Sequence, residues 1–301
     1  MRSLIKKIFY KVQFLTSLLL YLIYYRFNNN FARIIMYHSV SQFPNEDKIP
    51  YDNVDPSLFE NHLRLLKDKK YNVISLNELI VNIKDEKKIK PKTIVITLDD
   101  GFKNNFDYAL PLLNRHHFSA TFFIITGHIG ESKPYKHLLM DETAIEYCKM
   151  YPESRLPMSE MEIRELSDQG MEIGSHSVTH RSLGNININE AQLEIVESKS
   201  CLEKITTKKI DLFTYPFGSR TYGDFNEETK NLLIQAGYKA ACTTDIGKVT
   251  LDTDIYQLPR IPISGHDGYY SFLFKIAGAY DWVNKVKNLF QKYIKRIDII
   301  K

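Results

Sequence analysis

Cysteine and tryptophan are scarce in this chain: Cys148, Cys201 and Cys242 are its three cysteines and Trp282 is its one tryptophan among 301 residues. The cysteine count is odd and no pair has CxxC spacing, which argues against a thiolate metal site or a disulfide framework. Cys242, beside Ala240 and Ala241, reads as a buried thiol. Internal repeats and Ser/Gly-rich linkers are lacking too, so the chain, 44% hydrophobic, is expected to fold as one large domain. Acids are missing from residues 1–33, where Arg2, Lys6, Lys7, Lys11, Arg26 and Arg33 give a charge of +6. Residues 275–301 carry +5, and the net charge of +4 leaves −7 for residues 34–274. An acidic body with two basic ends speaks against a nucleic-acid partner and for ends that meet anionic lipid.

A long apolar run is also lacking. Val12–Tyr25 is apolar except for Gln13, Thr16 and Ser17, but fourteen residues fall short of the roughly twenty that span a bilayer. Extending back to Ile8 crosses Lys11, which could snorkel. Tyr24-Tyr25-Arg26 offers no small-residue cleavage site, so a removed signal peptide is not expected. A signal anchor, an interfacial helix and a helix packed on the body remain. Near the other end Val283, Val286, Phe290, Tyr293 and Ile297 step by three and four between lysines, the pattern of a basic amphipathic helix. The expected organisation is an anchoring or interfacial segment over 1–32, a body over 33–270 and a basic helix over 271–301. The protein is expected at a membrane lipid surface. A true span would place the body outside and a surface-lying helix would leave it inside.

Strand candidates recur at Ile34–Tyr37, Val73–Ser75, Ile94–Leu98, Ala120–Ile125, Glu172–Ser175, Leu212–Tyr215 and Ala240–Thr243. Helix-like stretches lie between them: one opened by Asp55-Pro56-Ser57, one from Ser159, one following Asn189 and one after Asn226. Alternation of this kind predicts an α/β fold with a parallel sheet, either a barrel or an open doubly wound sheet. Glu131–Pro157 shows no clear periodicity.

Asp99 and Asp100 end the apolar run Thr93–Leu98. Adjacent carboxylates repel and lose solvation when buried, so a buried pair needs a cation or a role in proton transfer. The plainer reading is an acidic turn, with Asp100 capping the next helix and Gly101 making the bend. His176 and His180, four apart after Met171-Glu172-Ile173-Gly174, could turn two imidazoles toward one point. Asp100 would complete a set of two histidines and one carboxylate, leaving Asp99 as a base.

With these segments in view the chain resembles the NodB-like polysaccharide deacetylases, carbohydrate esterase family four. The resemblance runs from about Arg33 to Ile263 and includes Met36-Tyr37-His38-Ser39-Val40, Thr97–Phe102, Ala120–Ile124 with Gly127, Glu172–His180, Tyr215-Pro216-Phe217-Gly218 and Leu258-Pro259-Arg260-Ile261-Pro262. It implies a distorted (β/α) barrel of about seven parallel strands and a metal-dependent hydrolase removing N-acetyl or O-acetyl groups from glycans. The expected substrate is an N-acetylated cell-envelope polysaccharide or lipid-linked glycan. Asp100, His176 and His180 would hold a divalent metal, zinc first and cobalt, nickel or manganese as alternatives. Asp99 would take the proton of the attacking water. A backbone N–H near Phe217, in the turn with Tyr215 and Pro216, would meet the oxyanion.

Three features depart from the family pattern. Thr214 stands where an arginine usually precedes the third motif, and Arg260 could supply that cation. The usual Asp four residues before a Trp is absent, since Gly278 precedes Trp282. His266 is the late histidine available as general acid, while His38 is expected near the barrel mouth in a structural hydrogen bond. A deformylase or O-deacetylase acting on a lipid-linked sugar is the alternative enzyme. A non-catalytic glycan-binding module is the alternative of another class, and the intact Asp99, Asp100, His176 and His180 count against it.

Overall fold

The computed structural model describes residues 12, 14–25, 31–42, 50–134, 148–151 and 155–282. In chain order, β1 (Ala32–Tyr37) is followed by the short strands β2 (Ser39–Val40) and β3 (Asn53–Val54), helix α1 (Pro56–Asp68), β4 (Asn72–Val73), α2 (Leu76–Lys84), β5 (Thr93–Leu98), α3 (Leu110–His116) and β6 (Thr121–Ile124). Then come α4 (Glu160–Asp168), β7 (Glu172–Ser175), α5 (Ile188–Thr206), β8 (Leu212–Thr214), α6 (Glu227–Gln235), β9 (Ala240–Cys242), β10 (Arg260–Pro262) and α7 (Tyr269–Ala277).

Seven strands form a parallel sheet in the order β10-β1-β5-β6-β7-β8-β9. The last gap is nearly closed. Cys242 bridges Leu258 in parallel sense, and Thr243 N–H reaches the Leu258 carbonyl at 2.9 Å, just before the chain enters β10. The sheet is therefore a distorted barrel, and the open-sheet alternative is excluded. One expected strand is corrected: Val73–Ser75 yields only the two-residue β4, attached outside the path to β5. The seventh barrel strand is β10, whose three residues carry too little apolar pattern to read as a strand.

Along β5 the side chains alternate between two cores. Val95 joins Ile34, Phe123, Leu212, Ala240 and Cys242 in an inner cluster. Ile94, Ile96 and Leu98 join a larger outer cluster with Leu63, Leu113, Ile163, Ile195 and Leu202 of the surrounding helices. The period of two thus places Thr97 and Asp99 on the inner face with Val95. Leu76, Leu79, Ile80 and Ile83 of α2 belong to the inner cluster, so this helix closes the N-terminal end of the barrel.

Helix starts follow the caps. Asp55 accepts from Ser57 N–H at α1, and Ser159 with Glu162, then Asn226 with Thr229, form capping boxes at α4 and α6. The third helix begins at Ile188, capped by Asn187, two residues earlier than expected.

The charge pattern needs one correction. Arg33 is fully buried at the start of β1 and pairs with Asp281 at 2.5 Å, so one cation of the basic N-terminal segment is neutralised inside the fold. The helical residues 14–25 pack on α7 through Phe14 and Tyr21 against Phe274, and Trp282 donates to Ser17 Oγ at 3.2 Å. Among the described residues no helix is long and apolar enough to cross a membrane. The expected C-terminal helix from Val283 onward, and most of Glu131–Pro157, lie outside the described residues.

Candidate active site

All barrel strands run the same way, so their C-terminal ends share one rim, where loops can hold chemistry. Asp99 is the last inward position of β5, and its N–H donates to the Tyr37 carbonyl at 2.9 Å. The chain then turns sharply. Asp100 has φ +71° and Gly101 φ +74°. A Cβ on Gly101 would lie 3.0 Å from Ile124 Cδ1, so the turn needs glycine for both φ and space. This turn directs adjacent carboxylates to different neighbours, Asp99 to a cation and Asp100 to two imidazoles.

Arg260, fully buried at the start of β10, grips Asp99 with two N–H···O bonds of 2.7 Å. Its other donors reach Thr214 Oγ1 at 2.8 Å, Thr97 Oγ1 at 3.2 Å and the Thr243 carbonyl at 2.9 Å. Burial alone would weaken the guanidinium's hold on its proton; the Asp99 carboxylate more than offsets this and raises the Arg260 pKa. Arg260 thus sets its cation against Asp99, and Thr214 accepts a hydrogen bond from it.

Asp100 faces the histidines. Its Oδ1 lies 3.5 Å from His176 Nε2 and 3.8 Å from His180 Nε2. The three side chains are buried, with one ligand atom from each lying within 4.8 Å of the others. His176 Nδ1 is 2.9 Å from the Thr214 carbonyl. A carbonyl only accepts, so Nδ1 carries the proton and the Nε2 lone pair faces the cluster. Two imidazole nitrogens and one carboxylate oxygen, buried and convergent, fit a divalent transition metal, with zinc suited to this mixed nitrogen and oxygen set.

Sequence reasoning missed the group that shapes the histidine loop. Glu194 of α5 is buried, and one of its oxygens accepts the N–H groups of Val178 and Thr179, both at 2.8 Å. The Thr179 hydroxyl donates to its other oxygen. Ser177 Oγ accepts the His180 N–H at 3.0 Å. A glutamate on a helix face carries no sequence signal for this role, because its partners are backbone groups.

Left-handed backbone gathers here. Among the described residues nine non-glycine residues have positive φ, and Asp100, Ser177, His180 and Phe217 are four of them. Such conformations cost about 1–3 kcal/mol each and persist where surrounding bonds hold them. Phe217 is half-exposed, with its ring edge-on to His180 at 4.8 Å, while Pro216 is buried. The Tyr215 side chain points away from the mouth. It belongs to the outer core, stacks on Phe225 at 4.6 Å and donates to the Tyr256 carbonyl at 3.2 Å. Tyr215 therefore offers the mouth its backbone in the turn and not its phenol.

The His38 backbone carbonyl accepts from Asn105 Nδ2 at 2.7 Å. Beside it Asp52 and Arg155 form a two-bond pair of 2.8 Å each. Burial opposes the Asp52 charge, but Arg155 prevails and holds the carboxyl below its ordinary range. Arg155 leads into the segment whose Met158 N–H and Leu156 carbonyl bond Gly101 and Lys103, bracing the turn after Asp100. His266 is exposed on the loop after β10 and is not part of the Asp100, His176 and His180 group.

Known proteins share this arrangement of strands. The family model described as polysaccharide deacetylase matches residues 86–241. YxkH of Bacillus subtilis (strain 168), provisionally named a polysaccharide deacetylase, is 28% identical over 231 residues, 77% of this chain and 71% of the relative. The poly-beta-1,6-N-acetyl-D-glucosamine N-deacetylase of Staphylococcus aureus (strain MSSA476) is 26% identical over 269 residues, 83% of this chain and 84% of that protein. The structure of Streptococcus pyogenes deacetylase PplD in complex with acetate shares the fold, with a TM-score of 0.67 at 22% identity over 83% of this chain and 99% of that one. The matched segment holds Asp99, Asp100, His176 and His180 but ends before Arg260, and it covers over half the chain, which belongs to the polysaccharide deacetylase family of carbohydrate-active hydrolases.

Proposed function

We propose that this deacetylase hydrolyses the N-acetyl groups of an amino-sugar polysaccharide of the cell envelope, with a divalent metal held by Asp100, His176 and His180. The observation that carries this reading is the division of the two carboxylates, Asp99 to Arg260 and Asp100 to the histidines. The Staphylococcus aureus relative, named for a poly-N-acetylglucosamine, supports the choice of an N-acetylated glycan.

A cation in that seat would polarise the acetamide carbonyl and lower the pKa of water beside it. Asp99, gripped by Arg260 through two hydrogen bonds, accepts the proton of the attacking water. Its orientation is fixed by two parallel bonds, so the base is preorganised before substrate arrives. The exposed Phe217 brings its turn to the mouth, where a backbone N–H can donate to the developing oxyanion. We assign the proton returned to the leaving amine to His266.

The test is mass spectrometry of N-acetylglucosamine oligomers before and after incubation with zinc-loaded protein. Loss of one acetyl mass per step is expected. Asp99→Asn should keep its metal and lose about 10²–10⁴-fold in turnover, and His266→Ala should lose at least about tenfold. Unchanged oligomers with wild-type protein holding one equivalent of zinc would reject the substrate assignment.

A further inference from the structure

The end of the barrel opposite the catalytic mouth carries its own apolar surface. Six residues separate Tyr25 from the start of β1, so helical residues 14–25 lie at the N-terminal pole of the sheet. One face of that helix is spent on the fold, through Phe14, Ser17 and Tyr21. The other is not. Leu15, Leu19 and Ile23 are 63%, 57% and 68% exposed, and Leu22 and Val12 extend the same stripe. Beside it a cavity of about 570 Å³ is lined by Tyr21, Tyr71, Tyr269 and Tyr270 together with Lys69 and Lys92. Exposed leucines, tyrosines at an apolar edge and two cations are together the chemistry of an anionic lipid headgroup region.

We infer that this pole is seated on an anionic phospholipid bilayer, with the 14–25 helix lying in the interface and Lys69 and Lys92 meeting headgroup phosphates, so that the catalytic mouth opens away from the membrane. The direction follows from strand polarity. Lys92 immediately precedes β5 and Asp99 immediately follows it, so the six residues of the strand separate the lysine from the base by about 20 Å. Under the deacetylase reading, on which this step alone rests, the geometry favours a glycan that extends from the surface over a sugar held in the headgroups of the same leaflet. The lipid contact does not depend on that reading.

The experiment uses the full-length protein and needs no turnover, so its outcome is separate from that of the substrate test. Vesicles of phosphatidylglycerol and phosphatidylcholine should co-sediment the protein at low salt, and pure phosphatidylcholine should do so at least about tenfold more weakly. The double variants Leu15→Glu with Leu19→Glu, and Lys69→Glu with Lys92→Glu, should each weaken binding by about tenfold or more. Leu15, Leu19 and Lys69 are exposed and Lys92 is half-buried, and circular dichroism checks that each variant folds. Trp282, the single tryptophan, touches Ser17 of the helix and reports the orientation. Lipids with brominated acyl chains should quench it. A tryptophan placed by Tyr222→Trp in a Trp282→Phe background, on the mouth-side loop after β8, should stay bright. No sedimentation by anionic vesicles, wild-type binding in both double variants, or quenching of the Tyr222→Trp probe would overturn the proposal.

Discussion

Arg260 and Asp99 stand 161 residues apart in sequence and meet through two 2.7 Å hydrogen bonds inside the barrel. Both are buried, and Thr214, Thr97 and the Thr243 carbonyl take up the remaining guanidinium donors. Breaking one side of such a pair leaves a buried charge unanswered, at a cost of about 3–5 kcal/mol. Arg260→Met should therefore lower the urea midpoint clearly. In whatever protein remains folded, turnover should fall at least about tenfold, because the two bonds that orient the Asp99 carboxylate are gone. Wild-type turnover in the folded variant would remove Arg260 from the mechanism.

The metal assignment is checked by elemental analysis. Purified protein should carry about one equivalent of divalent metal, lost in His176→Ala and in Asp100→Ala but kept in Asp99→Asn. Stoichiometric metal in a protein lacking both His176 and His180 would refute the three-residue seat.

Glu194 touches neither metal nor substrate, and its effect should appear in affinity. Glu194→Gln replaces one acceptor by a donor facing the N–H groups of Val178 and Thr179. Zinc affinity, measured by chelator competition, should fall about 10–100-fold. Added zinc should restore turnover in Glu194→Gln, whereas Asp99→Asn should stay inactive at any zinc concentration.

His62, buried outside the metal seat, provides a pH test of the fold. Its Nε2 lies 2.5 Å from the Asp267 carbonyl, so it carries the proton there, and Nδ1 accepts from Tyr37 at 3.0 Å. Burial lowers its pKa from 6.5 to about 4. Above pH 6.5 both folded and unfolded chains hold it neutral. As the pH falls toward 4 only the unfolded chain gains the proton, so stability declines across that window and the contribution levels off below it. At about 1.36 kcal/mol per pH unit the loss approaches about 3 kcal/mol. Urea unfolding at several pH values should show this slope in wild type and a shallower one in His62→Gln; equal slopes would contradict it.

The local parts of this protein were legible in its sequence. The caps at Asp55, Ser159 and Asn226, six of the seven barrel strands, and the carboxylate and histidine motifs are written in neighbouring residues, because hydrophobic period, capping and turn chemistry act over a few positions. Asp100, His176 and His180 could be grouped from residue type and family resemblance before any distance was known. Tertiary structure decided what depends on distant partners. β10 is a strand because β1 offers it a free edge, and Arg260 reaches Asp99 only once the barrel is nearly closed. The Tyr215 phenol faces the outer core because β8 alternates and the mouth lies on the other side. Glu194 became visible as a clamp because its partners are backbone N–H groups, which every residue but proline has and no sequence pattern marks. Arg33 looked like part of a basic tail until the fold buried it against Asp281. Composition counts charges, but only the folded chain shows which of them still face outward.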